Sequence, residues 1–184
     1  RVWGEGENFE NPDDPIFFNS GAGSTQRLDL PNGDILLPVY CKAAGEKAAA
    51  WIKDTYGDEK VDVAFLGWPD TDLGRLRGKG MLDALDAANL NLNITEHKVL
   101  SLDDGYAAVQ NQLNAVPNTK VWLAIANDPA LGAYQALTDS GVSPTDDSML
   151  LANLDATDAE LEIIQEEGSF WRFAYIAPAR QLAE

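Results

Sequence analysis

The residues best suited to ligand chemistry follow four separate apolar runs of this sequence. Arg77 comes shortly after the first run, Tyr106 after the second, Asn127 and Asp128 after the third, and Asp155 after the fourth. Carboxylates accept hydrogen bonds from hydroxyl groups, arginine and asparagine donate them, and an aromatic ring stacks against C–H surfaces. If folding gathers these side chains in one crevice, their combination is typical of carbohydrate recognition.

Each of these polar side chains also has a simpler structural interpretation. Asp128 and Thr157 can act as caps of the helices that follow them. Asp103 and Asp104 can favour a helix N-terminus through their charge, and Arg77 can pair with a neighbouring helix acid. For any one residue the structural role is favoured, because capping residues are common at helix starts. Only the joint pattern favours a ligand site.

The elements that must position these residues alternate between helix and strand from residue 42 onward. The predicted helices cover residues 45–56, 73–88, 104–116, 129–140 and 158–167, and the predicted strands cover 61–67, 94–100, 121–126, 149–154 and 170–176. Such alternation implies right-handed crossovers and an α/β fold with a parallel sheet and helices on both faces. Because ligands bind at the carboxyl ends of such strands, the four polar segments are expected to meet there.

The first 41 residues have a different composition, rich in Gly, Asn, Asp and Pro, without a helical pattern. Residues 27–30 and 35–37 are short apolar runs on either side of an Asn-Gly turn, which predicts a β-hairpin. We therefore predict two segments, an irregular or β-hairpin segment over residues 1–41 and an α/β lobe over residues 42–184.

Charge and hydropathy exclude several partners. The formal net charge of −17 disfavours nucleic acid, because a phosphate backbone requires clustered Lys and Arg. No apolar run reaches the length of a membrane span, so the chain is not expected to be membrane-embedded. It opens with Arg1 and shows no signal peptide, so we expect a processed or excised fragment.

No cofactor or metal is expected from the sequence. His97 is the single histidine and lies inside a predicted strand, and no acidic loop has the spacing of an EF-hand. Gly78 and Gly80 fall within a predicted helix, where a dinucleotide-binding glycine motif would not lie. The lone Cys41 is expected to be a half-buried apolar residue rather than a reactive thiol.

Three motifs carry a resemblance to a known family. Residues 75–81, Arg-Leu-Arg-Gly-Lys-Gly-Met, resemble an Arg-x-Arg-x-x-Gly-Phe stretch, and residues 127–137 resemble an Asn-Asp…Ala-x-Gly-Ala-x-x-Ala-Leu motif. Residues 154–159 are similar to a strand-end Asp followed by a small residue and a helix. All three, in this order, are typical of type I periplasmic sugar-binding proteins of the ribose and galactose type.

The resemblance implies a non-enzymatic receptor, the substrate-binding component of an ABC-type importer. Its partners would be a small-molecule sugar and a membrane permease, and its location would be periplasmic or otherwise extracytoplasmic. Such proteins have two lobes that close on the sugar about a hinge. Residues 42–184 would correspond to the second lobe, incomplete at its C-terminus.

Family ligand contacts map onto Arg77, Asn127, Asp128 and Asp155, and more loosely onto Tyr106, which falls near a stacking Trp of glucose- and galactose-type members. The segment beginning at Asn127 is one residue shorter than the family pattern, so which of Asn127 and Asp128 faces the cleft stays open. Ala177-Pro178 replaces a polar contact of ribose-type members, so the resemblance does not imply that the ligand is ribose.

Two other functions remain open. Residues 11–15 and 23–40 resemble one blade of a sialidase-like β-propeller, which suggests a glycoside hydrolase fragment, although one blade cannot close a propeller and the segment lacks the required acid, base and nucleophile. The α/β lobe also suits the effector domain of a sugar-responsive transcription regulator. That class carries a basic helix-turn-helix, which this acidic chain lacks.

Overall fold

The computed structural model describes residues 36–175, with side chains from Cys41 onward. Within this range helices and strands alternate without exception. The helices are α1 (Leu36–Tyr56), α2 (Asp72–Ala87), α3 (Leu102–Ala115), α4 (Asn127–Asp139) and α5 (Asp158–Gln165). The strands are β1 (Val61–Gly67), β2 (Leu92–Lys98), β3 (Val121–Ala124), β4 (Leu150–Leu154) and β5 (Trp171–Tyr175).

The strands form one parallel sheet in the order β2-β1-β3-β4-β5. The central strands β3 and β4 are buried along their whole length, whereas the edge strand β2 is half-buried or exposed throughout. This explains their sequences, because strands covered on both faces need continuous apolar residues and an edge strand does not. The predicted parallel α/β fold is confirmed.

Helices cover both faces of the sheet, as predicted. On one face α1 and α2 contribute Ile52 and Met81 to a core with the sheet residue Phe65. On the other face α4 contributes Leu137 to a second core that contains Trp122 of β3. All five side chains are at most 2% exposed, so both layers exclude water.

Two glycines set the contact between α3 and α4. A Cβ added to Gly105 would lie 2.2 Å from the carbonyl oxygen of Pro129, and one added to Gly132 would lie 2.0 Å from that of Leu102. Both obstacles are backbone atoms, which cannot move aside as a flexible side chain can. The two helices therefore touch backbone to backbone near their N-termini, where α4 begins with a candidate ligand residue.

The start of α1 corrects the prediction for the N-terminal segment. Leu36 and Leu37 belong to the second strand of the predicted hairpin, but both lie in α1, which also crosses the predicted segment boundary after residue 41. Pro38 falls in the first turn, where the N–H groups have no intrahelical partners and proline is tolerated. A short apolar run does not distinguish a strand from a helix start. The rest of the predicted hairpin and residues 11–35 of the blade-like segment lie outside the described residues.

Candidate ligand site at the carboxyl ends of the strands

An arginine–carboxylate pair joins three elements at the carboxyl ends of the central strands. Arg77, in the second turn of α2, donates from Nη1 to Oδ2 of Asp155 at 2.5 Å and to the carbonyl oxygen of Ile125 at 3.0 Å. Ile125 follows β3 and Asp155 follows β4. The Arg77 side chain is only 16% exposed, against 39% for Asp155. The pair therefore holds α2 over the central strands and leaves much of the carboxylate in solvent.

Asp155 has an unusual backbone conformation. Its φ is +63°, in the left-handed region that L-residues rarely adopt, although Asp and Asn tolerate it better than most. Its N–H donates to the carbonyl oxygen of Tyr175 at 3.1 Å, and its own carbonyl accepts from Nδ2 of Asn153 at 2.7 Å. Backbone bonds on both sides thus keep this residue in place.

Asn127 and Asp128 form the start of α4, immediately after β3. Nδ2 of Asn127 donates to Oδ1 of Asp128 at 3.1 Å. Asn127 is half-buried and Asp128 is exposed. The N-cap is Ala126, with no side-chain hydrogen bond, so neither residue caps the helix. The structure places both at the carboxyl ends of the central strands, where Arg77 and Asp155 also lie.

A buried acid, Glu160, links the start of α5 to the start of α4 through hydrogen bonds. It is 2% exposed and accepts hydrogen bonds from the backbone N–H of Thr157 at 2.5 Å, from the Thr157 hydroxyl and from the Asn127 side chain. Burial alone would raise the pKa of Glu160, but these hydrogen bonds outweigh it and hold the pKa below its usual value. The predicted cap role of Thr157 at α5 is confirmed.

Tyr106 does not join this group. Its hydroxyl donates to Oδ2 of Asp139 at 2.9 Å, and Asp139 is the last residue of α4. Because α4 has 13 residues, Asp139 lies roughly 18 Å along the helix axis from Asn127. The close backbone contact at the adjacent Gly105 fixes α3 against α4 and directs Tyr106 along α4. The expectation that Tyr106 converges with the other candidates is therefore wrong.

Two buried polar residues beside the site, Asn153 and Glu160, are not predicted by the strand-end pattern. Asn153 is a fully buried amide within the apolar strand Leu150–Leu154, and a polar residue in such a run is the signal that could have found it. Glu160 follows Thr157 at the spacing of a capping box. That spacing predicts a helix start, but it does not predict the contact with Asn127 on another helix.

A separate groove of about 680 Å³ lies beside α2, lined by apolar residues that include Trp68 and Leu82. Its cations Arg75 and Lys79 each pair with an acid on the same helix. Arg77, Asn127, Asp128 and Asp155 do not line it. The candidate site is accordingly defined by its hydrogen-bonding groups and not by this groove.

The remaining reactive residue types have structural roles. Nε2 of His97 lies 2.9 Å from Oε1 of the buried Gln112. Cys41 is fully buried, and burial raises the pKa of its thiol to about 12, against a smaller opposite effect of Arg77. Among residues 36–175 no three His, Cys, Asp or Glu side chains are grouped as a metal would require. In the same range no helix has the length and apolar character needed to cross a bilayer.

A parallel sheet with polar groups gathered at the carboxyl ends of its strands is the architecture of a small-molecule binding lobe. The sequence profile of the periplasmic binding protein domain matches residues 40–183. The chain belongs to this family of non-catalytic binding components, so the predicted resemblance is confirmed.

Solved structures share the fold. A periplasmic ribose ABC transporter protein from Conexibacter woesei superposes with a TM-score of 0.59 at 19% identity, over 70% of this chain and 43% of that one. A solute-binding protein from Actinobacillus succinogenes with bound D-allose gives 0.58 at 22% identity, over 71% and 45%. An arabinose-binding protein from Geobacillus stearothermophilus gives 0.58 at 17% identity, over 70% and 43%.

The chain spans less than half the length of these solved relatives. No curated protein sequence matches it. At these identities the structures establish the fold that the chain shares with the solute-binding proteins of sugar ABC transporters.

Proposed function

We propose that this chain is the second lobe of a sugar-binding protein that serves an ABC-type importer. The observation that supports the proposal most directly is the Arg77–Asp155 pair at the carboxyl ends of the central strands, beside Asn127. The solved relatives whose names mention ribose, D-allose and arabinose make a monosaccharide the first ligand class to test.

In the proposed site, the hydroxyl groups of the sugar donate to Asp155 and to the amide oxygen of Asn127. A carboxylate oxygen has two lone pairs, so the bond from Arg77 to Oδ2 does not exhaust its capacity. The Arg77 guanidinium holds the carboxylate in one orientation, which reduces the entropy lost when a sugar binds. Nδ2 of Asn127 already donates to Asp128, so we assign its oxygen to the ligand.

The charges of the proposed site favour a neutral sugar over an anionic one. One arginine, Arg77, pairs with Asp155, whereas Asp128 and Glu160 add two further acids in the helices that follow β3 and β4, and the whole chain carries a formal charge of −17. An anionic ligand would be repelled by this field unless it displaced an acid from its partner. We therefore infer that neutral pentoses or hexoses bind better than sialic acid or sugar phosphates.

The wider role completes the proposal. A first lobe would supply the remaining ligand contacts, closure about a hinge would enclose the sugar, and a membrane permease on the outer face of the cytoplasmic membrane would receive it. Binding to this lobe alone is expected to be weak, because a single lobe covers only part of the ligand surface.

Thermal unfolding against a panel of neutral pentoses, hexoses and disaccharides, with sialic acid included, tests this function. A sugar that binds only the folded chain must raise the unfolding midpoint, and high millimolar sugar compensates for weak binding. The variant Asp155→Asn keeps the shape of the side chain but removes its charge, and it should abolish the shift. Asp83→Asn, an exposed acid on α2, is the matched control and should keep it.

A midpoint shift with sialic acid alone would contradict the proposal and turn attention to the N-terminal segment. A neutral-sugar shift that survives both Asp155→Asn and Arg77→Gln would remove the proposed site while leaving sugar binding itself in place.

A further inference from the structure

Asn153 is a polar side chain within β4, a strand that is buried along its whole length. It is 0% exposed, and the other residues of its strand are apolar and buried. Its Oδ1 accepts from the indole Nε1 of Trp171 at 2.8 Å, and its Nδ2 donates to the carbonyl oxygens of Leu154 at 3.2 Å and Asp155 at 2.7 Å. Both ends of the amide are thus hydrogen-bonded, one to β5 and the other to the loop after β4.

Packing alone does not account for an asparagine at this position. A buried amide costs free energy unless it is hydrogen-bonded, and an apolar residue of similar size carries no such cost. The neighbouring positions of the strand use Leu and Ala. What an apolar residue could not do is donate a hydrogen bond to the carbonyl oxygen of Asp155.

A second tryptophan shows that the bond from Trp171 is not required for burying an indole. Trp122 and Trp171 lie in one row across the sheet, on either side of Leu151, and both are fully buried in the same core. Nε1 of Trp122 has no hydrogen-bond partner among the described residues. The core therefore tolerates an indole without a partner, and the bond from Trp171 to Asn153 has a separate consequence, the orientation of the amide.

We propose that Asn153 is a positioning residue of the ligand site, which holds the backbone of Asp155 in the left-handed conformation that turns its carboxylate toward Arg77, and that Trp171 holds Asn153 in turn. The left-handed φ of Asp155 is unfavourable for an L-residue without such support. Its N–H is held by Tyr175 and its carbonyl by Asn153. The consequence for sugar affinity rests on the proposed function, whereas the consequence for the backbone of Asp155 does not.

The first experiment needs no ligand. In isotope-labelled protein, the ¹³C shifts and the H^N–Hα coupling of Asp155 report its φ. Asn153→Leu keeps the size of the side chain but removes the donor, and it should move both signals away from their left-handed values. Trp171→Phe keeps the amide but removes its orienting bond, and it should move them in the same direction.

Trp122→Phe is the matched control. Like Trp171→Phe, it replaces one buried indole of the same core by a smaller ring, but it breaks no hydrogen bond. The control should lower the unfolding midpoint and leave the Asp155 signals unchanged. If Trp122→Phe and Trp171→Phe moved the Asp155 signals equally, or if neither Trp171→Phe nor Asn153→Leu moved them, the proposal would be overturned. Should Asn153→Leu fail to fold, the two tryptophan variants still decide it.

Sugar binding is measured separately, by titration of the same variants with D-allose, D-ribose and L-arabinose. Asn153→Leu should weaken the affinity for the sugar by about tenfold. The reason is that a misplaced Asp155 carboxylate would lose the equivalent of one hydrogen bond to a charged group. Trp122→Phe should retain wild-type affinity. If no sugar binds wild-type protein while the Asp155 signals respond as expected, the sugar proposal fails and the positioning proposal stands. If the Asp155 signals move in Asn153→Leu but the sugar affinity stays at the wild-type value, the backbone conformation of Asp155 does not contribute to sugar binding and that part of the proposal is overturned.

Discussion

At the residue scale, the most informative feature is the contrast between two arginines of α2. Arg77 is mostly buried and bonds to groups at the ends of two strands, whereas Arg75 is exposed and pairs with an acid three residues earlier on its own helix. A hydrogen bond to a charged group contributes about 1.5–3 kcal/mol when it is sheltered from water, and an exposed ion pair contributes about 0–1 kcal/mol.

The two arginines therefore provide a matched pair of variants. Arg77→Met should lower the free energy of unfolding by about 2–3 kcal/mol, because it removes the hydrogen bonds that Arg77 donates to the Ile125 carbonyl and to the Asp155 carboxylate. Arg75→Met should change it by less than about 1 kcal/mol. Urea unfolding at neutral pH measures both values. Equal losses in the two variants would show that the Arg77–Asp155 pair is no stronger than a surface contact.

Glu160 makes a pH-dependent prediction at the same scale. Its pKa is lowered in the folded protein from the ordinary value of 4.5, so the unfolded chain takes up its proton first as the pH falls. The stability that this carboxylate contributes is thus complete above about pH 5 and is lost as the pH falls from there through the folded-state pKa. At neutral pH, Glu160→Gln should be less stable than wild type, and the difference should shrink near pH 3.

Urea unfolding of wild type and Glu160→Gln at pH 7, 5, 4 and 3 measures this effect. Other acids also titrate in that range, so the informative quantity is the difference between the two proteins. Glu162→Gln is the control, because its side chain is exposed on the same helix, and it should be close to wild type at each pH. A Glu160→Gln deficit that grows as the pH falls would show the opposite sign for the pKa shift.

At the element scale, the helical glycines test how α3 and α4 are positioned. Gly132→Ala would place a Cβ 2.0 Å from the Leu102 carbonyl oxygen, whereas Gly78→Ala would place one 3.5 Å from the ring of Phe65, an ordinary contact. The first substitution should therefore cost about 1–3 kcal/mol through overpacking. The second should stabilise by up to about 1 kcal/mol, because Ala is the better helix former.

Denaturant unfolding of both variants distinguishes these signs. The glycine contact also orients the start of α4, so Gly132→Ala is expected to shift the amide signals of Asn127, while Gly78→Ala is not. A neutral or stabilising Gly132→Ala would show that α3 and α4 can separate without cost, and that their close approach does not set the position of Asn127.

The elements that the sequence predicted well are those with a strong local pattern. The run Val121–Ala124 is apolar without interruption and could only be buried. Pro129 lies in the first turn of α4 and Gly141 lies just beyond its last turn, as expected for a helix start and a helix end. The start of α1 was missed because Leu36 and Leu37 suit a strand as well as a helix, and no local signal separates the two. The order of elements, together with the rule that ligands bind at the carboxyl ends of parallel strands, was enough to predict one common location for a set of four residues: Arg77, Asn127, Asp128 and Asp155.

The contacts within the site could not be predicted from local patterns. The hydrogen bond between Asn153 and Trp171 joins the paired strands β4 and β5, and the register of that pairing shifts between Leu151 and Ala152. The direction of Tyr106 depends on the backbone contact of Gly105 with α4. Both follow from tertiary packing, which no spacing along the chain encodes.

At the scale of the whole molecule, the dominant property is the formal charge of −17. Like charges repel one another more strongly in the compact state than in the unfolded chain, so the charge lowers stability at low ionic strength. Salt screens exposed charges over a Debye length of about 10 Å at 0.1 M, and partly buried pairs such as Arg77–Asp155 are screened much less. Added salt should therefore remove more repulsion than attraction.

We accordingly expect the unfolding midpoint to rise between 10 mM and 500 mM sodium chloride, by about 2–4 °C for each kcal/mol of repulsion that is screened. Potassium chloride should act equally, because screening depends on ionic strength and not on the identity of the cation. Calorimetry in both salts measures the midpoint. The affinity for a neutral sugar should not change over the same range, whereas a ligand of either charge would show a marked salt dependence. A falling midpoint would mean that surface ion pairs, such as Lys98 with Asp70, contribute more to stability than the net charge removes.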